Sequence, residues 1–198
     1  MAYLLGSIPS AVWIGKTFYG IDVRDAGSGN SGATNTFRVL GKKAGIPVLF
    51  MDIFKGYLAV NLVYLINSPA QNQNFVLMQL ILGTAAVLGH VLPVFSRFKG
   101  GKGIATLLGI ILAVNPLAAA FAIIAFTFAL LIFNFVSIAS IIATVVFALS
   151  VFIFFQSFQA IMVPFALFLI VLVLLTHQKN IQRILNNEEG KVKIFKRK

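Results

Sequence analysis

Two stretches of this chain, residues 56–96 and 103–178, contain no Asp, Glu, Lys or Arg. A water-soluble fold cannot hide runs of that length, because its surface needs polar groups that these segments do not supply. All sixteen Lys and Arg residues lie in three islands, Lys16 to Lys55, Arg97 to Lys102 and Lys179 to Lys198. Apolar runs separated by basic islands are the pattern of an integral membrane protein whose basic loops share the cytoplasmic side. The hydrophobic fraction of 59% agrees. A net charge of +11 therefore calls for no nucleic acid. Lys and Arg that set the topology supply it, and the tail Lys191–Lys198 is suited to lie on anionic headgroups.

With no Cys there are no disulfides or thiolate ligands, and the two His and five carboxylates are scattered along the chain. We expect no metal and no cofactor. A cleavable leader is not expected either, since the apolar run starts at residue 1 without basic residues before it.

The crossings can be counted. A crossing helix takes about 20 residues. If the islands share one side, each apolar stretch between them crosses an even number of times. Residues 56–96 fit two crossings with a turn at Asn67–Asn74, and residues 103–178 fit four, broken at Asn115-Pro116, Asn134–Ser137 and Gln156–Gln159. The expectation is an all-α, seven-helix membrane protein with spans at 1–19, 44–66, 75–95, 103–114, 117–133, 138–155 and 160–177. Its N-terminus would be outside, its basic tail (about 179–198) in the cytoplasm, and residues 1–198 a single domain. The fourth span is short for a crossing. Gly6, Pro9, Gly83, Gly89, Pro93, Gly109 and Pro164 read as close-packing or kink positions inside spans.

The first basic island contains Gly27, Gly29 and Gly32, which allow the backbone to turn with φ > 0 and bring its N–H groups to a ligand. Ser28, Asn30, Thr34 and Asn35 add side-chain donors, and Arg38 adds a fork suited to phosphate. Converging N–H groups in such a turn form an anion nest. No Gly-Lys-Ser/Thr follows and no strand precedes it, so a nucleotide-binding P-loop is not expected.

The second island reads Phe98-Lys99-Gly100-Gly101-Lys102-Gly103 directly before an apolar run. Its glycines therefore stand at a helix N-terminus, where amides and dipole favour anions, with Lys99 and Lys102 beside them. This is a candidate second phosphate site. His90, in the last turn of the preceding span, suits a cap or packing role at least as well as chemistry. Asp52 and Lys55, three apart, share a helix face and read as an ion pair bracing the loops, ahead of a proton-transfer role. Ser137 and Ser140 lie at the junction of the fifth and sixth spans and read as helix caps. His177 and Asn180 fall on one face at the end of the last span.

Gly27-Ser-Gly-Asn-Ser-Gly-Ala-Thr-Asn35 with Arg38, Gly89-His90 with Phe98-Lys-Gly-Gly-Lys-Gly103, and His177 with Asn180-Ile and Arg183 together resemble the bacterial acyl-phosphate:glycerol-3-phosphate acyltransferases, the PlsY family. The resemblance covers nearly the whole chain and keeps the motif order. It implies transfer of a fatty acyl group from acyl phosphate to the sn-1 hydroxyl of glycerol 3-phosphate, at the cytoplasmic face of the bacterial inner membrane. Lysophosphatidic acid and inorganic phosphate would be the products. By motif position it implies Ser28, Arg38, Lys102, His177 and Asn180 as catalytic. Gly27, Gly29, Asn30, Gly32, Asn35, Lys99, Gly100, Gly101, Gly103 and Ser140 would bind substrate, with glycines 27, 29 and 32 shaping the acyl-phosphate loop.

The chemistry agrees with the residues. Both substrates carry phosphate, and two glycine-rich cationic loops stand ready. No Cys and no Ser-His-Asp pattern demands an acyl-enzyme, so direct displacement is expected, with a substrate phosphate oxygen as base and His177 orienting. A transporter for an organic phosphate is the rival reading, but paired repeats and midplane breaks are not evident. A scaffold would leave the donor-rich loops without purpose.

Overall fold

The computed structural model describes residues 1–65, 73–154 and 159–192. Most of the expected turn at Asn67–Asn74, the break at Gln156–Gln159 and the end of the basic tail therefore lie outside the described residues. The described chain is helical and divides at Asn115-Pro116 into two compact units, Met1–Asn115 and Pro116–Lys198.

The first unit holds α1 (Ala2–Gly6), α2 (Ser10–Tyr19), α3 (Ala33–Leu40), α4 (Lys42–Asn61), α5 (Gln73–Val91) and α6 (Ile104–Val114). The segment expected as one span over 1–19 is broken at Ser7–Pro9. Pro9 has no amide to continue the ladder, its ring crowds the carbonyl of the preceding turn, and its ψ of 70° is not helical. A second departure is α3, a short helix where a loop was expected. Gly41 at φ 78° separates it from α4.

In an apolar solvent helices gain no hydrophobic drive to associate, so they pack through small residues that let backbones touch. The glycines of this unit do that. A Cβ on Gly56 would land on the Thr106 carbonyl oxygen, and one on Gly109 on the Ile53 carbonyl oxygen, which closes α4 onto α6. Gly6 meets the Ala86 carbonyl and Gly89 the Tyr3 carbonyl, closing α1 onto α5. Ala2, Ala59 and Ala86 are buried beside these crossings.

The second unit is α7 (Pro116–Phe133), α8 (Val136–Phe154) and α9 (Gln159–Leu185). Asn134, left-handed at φ 59°, turns α7 into α8. The helix α9 continues to Leu185, past the expected end at 177, so His177 and Asn180 both sit on it. Asn187, also left-handed at φ 59°, reverses the chain, and Val192 N–H donates to the Asn134 carbonyl at 2.8 Å.

Among the described residues, five helices are long and apolar enough to cross a membrane: residues 42–65, 74–96, 116–133, 136–153 and 160–185. The broken first segment and α6, with 11 residues, are shorter than a perpendicular crossing of about 30 Å needs. We predict that Gly109→Val lowers the thermal midpoint in detergent by the equivalent of about 3 kcal/mol, because backbone faces backbone there. Gly20→Ala, where nothing lies within 4 Å but φ is +65°, should cost only about 1 kcal/mol.

Candidate active site

The first loop hangs from Val23, fully buried against Ala11 of α2 and Val48 of α4. Asp22 caps the 3₁₀ turn that follows, accepting from the Arg24 amide at 3.1 Å. Its carboxylate also receives Arg24 Nε at 2.9 Å and Nη2 at 2.6 Å, with Lys16 Nζ at 3.1 Å. Arg24, ahead of Lys16, holds the Asp22 carboxyl far below the ordinary carboxylate range, against the opposing effect of burial. Asp22 in turn raises the Arg24 guanidinium. The remaining arm of the fork, Nη1, donates to the Ser96 carbonyl at 3.2 Å. Arg24 is thus spent on structure, while Arg38 stands exposed in the last turn of α3.

Asn35 occupies the space under this loop. It is 1% exposed and ties three backbone groups together. Its Oδ1 accepts from the Ser28 amide at 2.8 Å, and its Nδ2 donates to the carbonyls of Val23 (2.7 Å) and Ala26 (3.1 Å). Gly27 and Gly29 take left-handed backbones at φ 63° and 73°, and a Cβ on Gly27 would strike Asn35 Oδ1. Ser28 and Asn30 are half-buried on the loop. Gly32 opens α3 with no side-chain cap, so the first-turn amides keep their preference for an anion.

The second loop starts where Pro93 ends α5. Arg97 and Phe98 are both left-handed, at φ 55° and 59°, an uncommon backbone for residues with a Cβ. Phe98 N–H donates to the Pro93 carbonyl at 2.9 Å, and Ser96 Oγ to the Lys99 carbonyl at 3.1 Å. Lys99 is exposed and Lys102 half-buried. Gly103, at φ 83°, opens α6 with no side-chain cap, as Gly32 opens α3. Two bonds join the loops: Arg24 Nη1 to Ser96, and Ser31 Oγ to the Lys99 carbonyl at 3.4 Å. Ser28, Asn30 and Gly32 therefore stand on a loop bonded to the one that carries Lys99, Gly100, Gly101, Lys102 and Gly103.

Behind these loops lies a buried polar network. Lys55 Nζ is 2.9 Å from Asp52 Oδ1 and donates to the Ile8 carbonyl at 2.8 Å, at the break between α1 and α2. Asp52 Oδ1 also accepts from Ser10 Oγ at 2.8 Å and lies 3.8 Å from His90 Nδ1. Thr106 Oγ1 is 3.1 Å from the same His90 nitrogen. The pair read from the sequence as a brace is one, with its lysine set into the helix break.

In the second unit His177 is 1% exposed, and its Nδ1 lies 2.8 Å from the Val173 carbonyl. A carbonyl only accepts, so Nδ1 carries the proton and the ring presents Nε2 as its acceptor. Asn180 Nδ2 donates to Glu189 Oε1, which also accepts from Ser137 Oγ at 3.3 Å. Ser140 Oγ turns back to the Val136 carbonyl at 2.8 Å. Glu189 was missed by sequence reasoning. Its signal was the Asn186-Asn187 pair, a turn that folds the chain back beside Asn180. The Asp22–Arg24–Ser96 clamp was missed as well, and no spacing foretold it. Among the described residues no group of three His, Asp or Glu side chains is placed to hold a metal ion.

The sequence profile described as glycerol-3-phosphate acyltransferase matches residues 1–187. The chain belongs to the glycerol-3-phosphate acyltransferase family. It is 46% identical to the glycerol-3-phosphate acyltransferase of Enterococcus faecalis, covering 97% of this chain and 89% of that protein. Against the Staphylococcus aureus (strain Newman) member identity is 42%, covering 98% of this chain and 95% of the relative. Among solved structures, it is similar to the crystal structure of PlsY, an integral membrane glycerol 3-phosphate acyltransferase, in its glycerol 3-phosphate form. That likeness has a TM-score of 0.86 at 39% identity over 96% of this chain and 92% of the other. The lysophosphatidic acid form gives 0.83 at 38%, over 96% and 91%. As a PlsY-family acyltransferase, the chain is a membrane protein, in agreement with its apolar helices.

Two predictions follow the polar contacts of this acyltransferase. Lys55→Met leaves a buried carboxylate and the Ile8 carbonyl without their cation, and should cost about 3–5 kcal/mol of stability. The double variant Asp52→Asn/Lys55→Met should cost less than the sum of the singles in a thermal-melt cycle. Asp22 has a depressed pKa, so its contribution is fully present above the ordinary value of 3.8 and is lost only as pH falls through the lower folded value. Activity profiles of wild type and Asp22→Asn should therefore run parallel from about pH 5 to 9, the variant lower throughout. Converging profiles would contradict the clamp.

Proposed function

We propose that the chain transfers a fatty acyl group from acyl phosphate to the sn-1 hydroxyl of glycerol 3-phosphate, by direct displacement without an acyl-enzyme. The observation that carries this reading is the pair of bonded loops, each leading into a helix that opens with an uncapped glycine. The two reactants bring two phosphates, and each loop suits one of them. The left-handed loop of Gly27, Ser28, Gly29 and Asn30, with Arg38, takes the acyl phosphate. The Lys99–Gly103 loop, with Lys102, takes glycerol 3-phosphate. In the relative solved in its glycerol 3-phosphate form, that molecule is bound by a protein 39% identical to this one.

The reaction needs alignment and charge neutralisation more than a nucleophilic side chain. The sn-1 hydroxyl oxygen attacks the acyl carbonyl carbon, and the bond from that carbon to the bridging phosphate oxygen breaks. Phosphate leaves and accepts the hydroxyl proton. Arg38 and Lys102 offset charge that grows on the departing phosphate and persists on the acceptor. Asn35 acts beneath the loop by fixing the Ser28 amide. We assign His177, Asn180 and Ser140 to orienting the acceptor, with Glu189 holding the Asn180 amide. The Val173 carbonyl fixes the His177 ring through Nδ1. The three basic islands support the rest of the reading: seven spans in one functional domain, N-terminus outside, and a site facing the bacterial cytoplasm.

Purified protein in detergent micelles, given acyl phosphate and labelled glycerol 3-phosphate, should release lysophosphatidic acid and inorganic phosphate one for one. Acyl-CoA of the same chain length should give none. Lys102→Met and Arg38→Gln should each lower kcat/KM by about 100-fold or more while melting near wild type. Turnover with acyl-CoA but not acyl phosphate would overturn the donor assignment.

A further inference from the structure

The Gly100-Gly101 pair poses a question that backbone conformation does not answer. The left-handed glycines of the chain are Gly20, Gly27, Gly29, Gly41 and Gly103. Gly100 and Gly101 are not among them, so an alanine at either position meets no φ penalty. What excludes a side chain is space, and His90 lies against both glycines. A Cβ on Gly100 would meet the carbonyl oxygens of His90 and Val91, and one on Gly101 would meet His90 Nε2. The Gly101 amide donates to the His90 carbonyl at 3.1 Å. The loop thus lies flat on His90, touching its ring and its backbone, and the next residue is Lys102.

His90 is itself fixed. It is 6% exposed, with Nδ1 at 3.1 Å from Thr106 Oγ1 and 3.8 Å from Asp52 Oδ1. Thr106 is in the first turn of α6, the helix that Gly103 opens. The ring is therefore wedged between the start of α6, the buried Asp52–Lys55 pair and the loop. We propose that His90 is a positioning residue: its ring sets the height of the Gly100-Gly101 backbone, and so the place at which Lys102 and the first amides of α6 meet their anion. This rests on the assignment of the Lys102 loop to glycerol 3-phosphate.

The test is steric complementation, read as a split between KM and kcat. Gly101→Ala pushes the loop off the ring and should raise KM for glycerol 3-phosphate roughly tenfold, with kcat within about threefold of wild type. Removing the ring as well, in Gly101→Ala/His90→Ala, should bring KM back to within about threefold of the His90→Ala single variant. A double variant no better than Gly101→Ala, with both melting as folded proteins, overturns the proposal. If Gly101→Ala does not fold, Thr106→Val decides. This change of similar size frees the ring to turn and should raise KM for glycerol 3-phosphate severalfold at unchanged kcat, with the variant still melting as a folded protein. Wild-type KM in that variant overturns the proposal. Lys102→Met reports separately: unchanged kcat/KM there removes the functional assignment, whatever the His90 variants do.

Discussion

A lysine ammonium set into a broken helix is the contact on which the first unit depends. In apolar surroundings a helix break is expensive, because carbonyls that lose their ladder partners have no water to turn to. Lys55 supplies one partner, donating to Ile8, and Asp52 neutralises the lysine while taking the Ser10 hydroxyl from the far side of the break. Four polar groups thereby satisfy one another in a space that excludes solvent. Ser7 Oγ remains buried without a hydrogen-bond partner, a residual cost of the break. A straight first helix would need none of this. The break earns its place through packing: α1 closes onto α5 at Gly6 and Gly89, and α2 buries Ala11 against the Val23 anchor of the first loop.

The glycines divide by the physical reason for each. Gly27, Gly29 and Gly103 adopt backbones that a side chain disfavours. Gly56, Gly89 and Gly109 have ordinary helical backbones and are small because another backbone lies against them. Gly100 and Gly101 belong with the second group although they lie in a loop. One motif, Lys99 to Gly103, therefore combines two devices. Its first glycines press the chain onto His90, and its last turns the chain into α6. Lys102 stands between a fixed floor and a fixed helix start, which is how a flexible side chain acquires a defined reach.

Much of this was legible in the sequence, and what was not has a physical cause. Charge-free runs marked α5, α7, α8 and most of α9, because apolarity over about 20 residues has one structural solution in a membrane, while α4 carries Asp52 and Lys55 within its apolar sequence. The Asp52–Lys55 pairing followed from their spacing. Pro9 was read as a close-packing or kink position, yet the break it makes is complete, and the Ile8 carbonyl there finds a partner, Lys55, on a helix remote in sequence. The last span was ended at residue 177 because the sequence turns polar there, although His177 and Asn180 were placed on one helical face, and α9 runs on to Leu185. Asn35 was read as a donor to substrate, whereas the structure commits its amide to the loop backbone. Composition says which groups can donate and not which way they face. Arg24 against Arg38 is the same lesson, since only tertiary contact with Asp22 and Ser96 distinguishes them.

The local structure of His177 also bears on who takes the proton. His177 gives its Nδ1–H to the Val173 carbonyl at 2.8 Å, which fixes the ring on α9. In the proposed reaction the departing phosphate carries charge, and protonating it reduces repulsion between the two phosphate groups. On that reading the histidine orients, and a phosphate oxygen receives the proton. On the proposed reading, the same repulsion accounts for two bonded loops and two helix starts without side-chain caps: once two phosphates are held side by side, an acyl phosphate needs little further activation.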